Sequence, residues 1–218
     1  MPSSGPATLA ARDRVLRSVE AVVLFVGIPA ALYFDALPIP NIAALGLAMA
    51  FGLFLLLLDP SYRKDRLWKT PAWKRELRRM FKRVVPVGVF LILAAHWLAP
   101  ERLWAFPRQT PWTWFWVMVI YPVCSAFPQE LLYRALFLHR YSALFPHPRT
   151  ATWLSAAGFA LMHVIYHNPV AVILSFLGGL LFLNTYLRSY SVPIVALEHA
   201  IYGNMLFTVG LGRYFLSG

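Results

Sequence analysis

The chain has 218 residues, of which 59% are hydrophobic and only 13% charged, and its formal net charge is +11. A soluble domain carries roughly 25% charged residues, and apolar runs long enough for a ~30 Å hydrocarbon core recur here, so a soluble fold is excluded. Nucleic-acid binding is excluded too. Ten of the twenty Lys and Arg residues lie between Arg63 and Arg83, interleaved with Trp68, Trp73 and Phe81, the pattern of an interfacial segment facing anionic headgroups.

The hydrophobic pattern predicts an all-α polytopic membrane protein with about seven transmembrane helices, near 17–34, 41–58, 84–99, 113–140, 151–167, 170–187 and 192–211. Residues 1–218 read as one membrane-embedded helical domain, with a basic interfacial loop at 60–83. Arg12, Arg14 and Arg17 precede the first run, which continues past Ile28 and Pro29. It is too long for a signal peptide and reads as a retained span. Asp35, Pro38 and Pro40 end it, and Asp59-Pro60 ends the second. Pro100 closes the third. The fourth is too long for one straight crossing, and Pro122 and Pro128 should kink it. Pro146 and Pro148 precede the fifth, and Asn168-Pro169 separates it from the sixth.

With the N-terminus inside, sixteen Lys and Arg residues near span ends fall on the cytoplasmic side. Arg102, Arg108 and Arg213 fall on the other. This bias orients the chain in a plasma (inner) membrane with a cytoplasmic N-terminus.

Charges inside a span cost at least ~2.5–3.5 kcal/mol each, so they mark function by default. Glu130, Arg134 and Glu198 lie deep in the predicted spans, with His163 and His199. Counting back to Arg140, Arg149 and Arg188, residues Glu130, His163 and His199 lie roughly 15, 21 and 16 Å from one face at 1.5 Å per residue. Three helices can therefore share one polar pocket. Glu130 and Arg134 are four residues apart and can neutralise each other as a structural pair. His163, four residues after Phe159, can be a core histidine bonded to a backbone carbonyl or a catalytic group.

A carboxylate and two imidazoles in a low-dielectric pocket can hold and deprotonate water, and a nearby donor can stabilise an oxyanion. The same residue types bind zinc, but there is no HExxH and Cys124 is the sole cysteine. No Gly-x-Ser-x-Gly elbow is present, and Ser125 has no matched local base. The reading therefore invokes no cofactor. Buried Glu and His also serve proton relays in transporters, although the chain lacks the internal repeat many of those have.

Pro128-Gln129-Glu130-Leu131-Leu132-Tyr133-Arg134, then Phe159-Ala160-Leu161-Met162-His163, then His199 with Asn204, resemble the motifs of the CPBP intramembrane proteases. That family groups the type II CAAX prenyl proteases with bacteriocin-processing enzymes and is also called Abi. The resemblance covers about 110–210 and implies glutamate-dependent peptide hydrolysis of a membrane-anchored protein or peptide. It makes His163 the water-activating histidine, His199 and Asn204 the oxyanion group, and Glu130 the partner of Arg134. Two positions depart from the pattern. Gln129 stands where the family has its first Glu, and Asn204 follows His199 by five residues instead of four, with Gly203 in the usual place. Glu130 is then the carboxylate left to act as base. The alternative is a catalytically inactive scaffold or immunity-type protein on the same fold.

Overall fold

The computed structural model describes residues 10–70 and 73–216, so Pro71 and Ala72 of the basic loop lie outside it. Among the described residues no strand occurs. Six helices among the described residues are long and apolar enough to cross a membrane. In chain order the main helices are α1 (Ala11–Tyr33), α2 (Asn41–Leu58), α3 (Trp73–Leu98), α4 (Pro111–Leu144), the shorter α5 (Pro148–Met162), α6 (Pro169–Ser189) and α7 (Val192–Val209). The protein is an all-α polytopic membrane protein.

Two elements differ from the sequence reading. The fifth expected span, 151–167, is a 15-residue α-helix followed by a 3-10 turn, His163–Tyr166. At His163 the backbone tightens, and its N–H bonds to the carbonyl of Ala160. The chain then turns into Asn168, whose side chain accepts the N–H of Ala171 and caps α6. The second difference is α3, which begins at Trp73, well inside the supposed loop. No helix breaker lies between Trp73 and Pro86, and Lys, Arg and Glu are good helix formers. This first part buries Glu76 and Met80.

α4 changes its helical period near its prolines. Pro122–Ala126 and Leu131–Tyr141 are π-helical, separated by one α-turn, Phe127–Glu130. Widened turns of this kind concentrate at functional sites.

The basic residues sort to two ends of the bundle. At one end Arg17 donates to the carbonyl of Arg140, and Arg188 pairs with Glu76 at 3.2 Å. At the other end, beyond Leu98, Arg213 pairs with Glu101 at 2.8 Å. The largest buried cluster joins Phe25 of α1, Leu56 of α2, Leu136 of α4, Phe159 of α5, Phe182 of α6 and Val195 of α7. α3 and α6 each pack on α7 but hardly touch one another. A gap is left between them.

Candidate active site

That gap is a cavity of about 780 Å³, within the usual range for a ligand pocket. α3 lends it Val87 and Leu91, α6 lends Ser175 and Phe182, and the remaining wall comes from α4, α5, the 3-10 turn His163–Tyr166, α7 and Phe215. Its rim includes Phe90 and Leu177, both exposed on the bundle surface. At one end Arg83 closes the gap between α3 and α6. Its guanidinium donates to Glu198, Thr185 and Asn184 at 3.2–3.3 Å.

Three faces of polar residues meet in the cavity. On α4, Tyr121, Ser125 and Gln129 recur at four-residue spacing and all line it. Gln129 donates to the Ser125 hydroxyl at 2.9 Å, and its own carbonyl oxygen is buried without a hydrogen-bond partner among the described residues. His163 lines the cavity from the end of α5. Because its backbone N–H has turned to Ala160, the carbonyl of Phe159 is free, and the ring Nδ1 takes it at 2.7 Å. A carbonyl accepts only, so Nδ1 carries the proton and Nε2 keeps its lone pair. The core-histidine reading and the catalytic one describe opposite edges of the same ring.

His199 enters from α7, stacked on Phe182 with ring centroids 4.4 Å apart. Its Nδ1 lies 2.8 Å from Glu130 Oε1, and its Nε2 lies 2.9 Å from the Tyr121 hydroxyl. The carboxylate fixes Nδ1–H, so Nε2 accepts from Tyr121.

Glu130 and Arg134 are both 0% exposed and approach to 3.1 Å through Oε2 and Nε. The approach is not aligned for a hydrogen bond, and neither atom finds another partner among the described residues. Arg134 also donates to Ser155 and to the carbonyl of Gly179, and lies over the Phe159 ring at 4.9 Å. It ties α4 to α5 and α6.

Of the residues singled out in the sequence, Glu130, Arg134, Phe159, His163 and His199 thus form one contact chain, and Gln129 joins the cavity wall. Glu130 does not line the cavity; it sits behind His199. Asn204 does not line it either. Its amide donates to the Met118 carbonyl at 3.1 Å, away from His199. Tyr121 and Arg83 were missed. The signal for Tyr121 was the polar repeat Tyr121, Ser125, Gln129 on one face of α4; Arg83 had been counted with a loop. Among the described residues no group of three or more His, Cys, Asp or Glu side chains is placed to hold a metal.

Residues 111–205, from the first residue of α4 into α7, match the family model of Rce1-like type II CAAX prenyl endopeptidases. The matched segment, 95 of the 218 residues, is similar to that family. The match begins and ends on helices that carry the motifs. No curated protein and no solved structure matches the chain.

Proposed function

We propose that the protein is an intramembrane endopeptidase that hydrolyses a peptide bond of a membrane-anchored protein or peptide. The observation that carries this is the pair of imidazoles on one cavity, each with Nδ1 held by a protein acceptor. His163 Nε2, with no protein partner among the described residues, takes the proton of the attacking water. Glu130, already shared between Arg134 and His199, acts through His199. Gln129 holds Ser125 and shapes the wall. The scheme needs no cofactor. The end of the bundle with Arg17, Arg140 and Arg188 faces the cytoplasm of a plasma (inner) membrane, in keeping with the distribution of basic residues.

The test is hydrolysis by the purified protein of quenched-fluorescence peptides, one set anchored by a prenylated cysteine and one by a single apolar span. Cleavage of either is expected, and His163→Ala and Glu130→Gln should each reduce it by about 100-fold or more, as members of one unit. An inert parent that gains cleavage on Gln129→Glu would establish the silent scaffold instead.

A further inference from the structure

Within the proteolytic reading, one part is unassigned: the group that stabilises the oxyanion formed when water adds to the scissile carbonyl. Asn204 is turned to the Met118 carbonyl and is not on the cavity wall. Gly203, one helical turn after His199 and on the same face, does line the cavity but has no side chain. His199 cannot offer a hydrogen bond directly, because both ring nitrogens already have protein partners.

The space beside Gly203 is filled by another residue. A Cβ at 203 would overlap the ring and the hydroxyl of Tyr121. A side chain at 203 and the Tyr121 phenol therefore exclude each other, and here the phenol occupies the position. Tyr121 and His199 both line the cavity, and the phenol hydroxyl is hydrogen-bonded to the Glu130–His199 pair. We propose that Tyr121 is the oxyanion donor of this site.

The proton inventory is as follows. In the resting site the Tyr121 O–H donates to neutral His199 Nε2. When Nε2 is protonated by a proton from bulk solvent, Nε2–H donates to the phenol oxygen and the phenol O–H turns to the substrate carbonyl; that proton stays on His199 throughout the turnover. Glu130 sits at the far nitrogen of the resulting imidazolium. Water then adds to the carbonyl carbon, its proton passes to His163 Nε2, and the carbonyl π pair moves onto the oxygen facing Tyr121. Collapse reforms the carbonyl and breaks the C–N bond, and His163 returns the proton to the departing amine. The products are one acid and one amine.

The experiment compares variants on the anchored quenched peptides and on a phosphinate peptide that mimics the tetrahedral oxyanion. Tyr121→Phe should lower kcat by about 100- to 1,000-fold, leave KM within about threefold, and weaken phosphinate inhibition by a factor similar to the loss in kcat. Asn204→Ala should lose less than Tyr121→Phe. Gly203→Ala keeps the phenol but displaces its ring, and should also lose kcat, which covers the case of poor folding by Tyr121→Phe. Tyr121→Leu combined with Gly203→Asn puts an amide donor in the vacated space and should recover at least about tenfold over Tyr121→Leu alone. Tyr121→Phe or Gly203→Ala within about threefold of an active parent would overturn the assignment while leaving the protease standing, as would a larger loss from Asn204→Ala. An inert parent would remove both.

Discussion

Two arginines of α4, six residues apart, pair with carboxylates in opposite environments, one within α4 and one across to α1. Arg140 meets Glu20 of α1 through two aligned hydrogen bonds, 2.7 and 2.9 Å, at side chains 19% and 26% exposed. Arg134 meets Glu130 with both side chains fully buried, in an approach that makes no aligned hydrogen bond. The better geometry is at the wetter site. Glu130 faces His199 on its other oxygen, so its two oxygens go to different partners, while both Glu20 oxygens accept from Arg140, one of them also taking the Tyr141 hydroxyl at 3.4 Å. Hydrogen-bond quality therefore does not rank the two pairs. Desolvation does: removing one member at the dry site strands a charge where water cannot reach it, and at the wet site water replaces the lost partner.

The largest effect should come from Arg134→Ala. It leaves Glu130 buried beside His199 and deprives Ser155 and the Gly179 carbonyl of their donor, a loss of about 3–5 kcal/mol. Thermal unfolding and folded yield in detergent would read it. Adding Glu130→Gln to Arg134→Ala should recover part of the loss, because the stranded charge goes with it. A double variant no more stable than the single one would show that Arg134 acts by joining helices and not by neutralising Glu130.

Arg140→Ala should cost far less, about 1 kcal/mol, despite removing the better-formed pair. Glu20 keeps access to solvent there. The measurement is the same unfolding midpoint, taken beside Arg134→Ala. Equal losses at the two positions would mean that burial does not separate them.

Much of this contrast was legible in the sequence. The four-residue spacing of Glu130 and Arg134, inside an apolar run, required them to meet or to pay for separate burial, and they meet. The agreement in depth brought His199 to Glu130 across 69 residues of chain. Depth did not say which way a side chain turns, and the expectation that Glu130 faces the cavity missed that it stands behind His199. Spacing also says little where the backbone period changes. The π-turns of α4 and the 3-10 turn at His163 come from prolines and from a helix end that tightens, and they shift the residues that face the cavity. Glu198 is costly at its depth, and its partner Arg83 lies 115 residues away, on a helix that runs into the basic segment read as a loop. Tyr121 carries no charge, so no cost argument could single it out.

The smallest effect belongs to a third carboxylate, at a helix end. Asp59 ends α2 and meets His139, the neighbour of Arg140 on α4, at 3.0 Å. Burial alone would push the Asp59 carboxyl up, but the Ser61 hydroxyl and backbone N–H, with His139, hold it down at about 2, against 3.8 for an ordinary Asp. A carboxyl depressed in the folded state stabilises fully above its unfolded value, and the contribution fades as the pH falls through the folded one. The stabilisation from Asp59 should thus be complete by about pH 5 and shrink between about pH 4 and pH 2. It should stay below ~1 kcal/mol, because solvent screens a pair at a helix end. The parent should melt slightly above Asp59→Asn at about pH 5, and the gap should narrow steadily at about pH 4 and then pH 3. A gap unchanged over that range would mean that Asp59 contributes shape and hydrogen bonding to the end of α2 and that its charge contributes nothing.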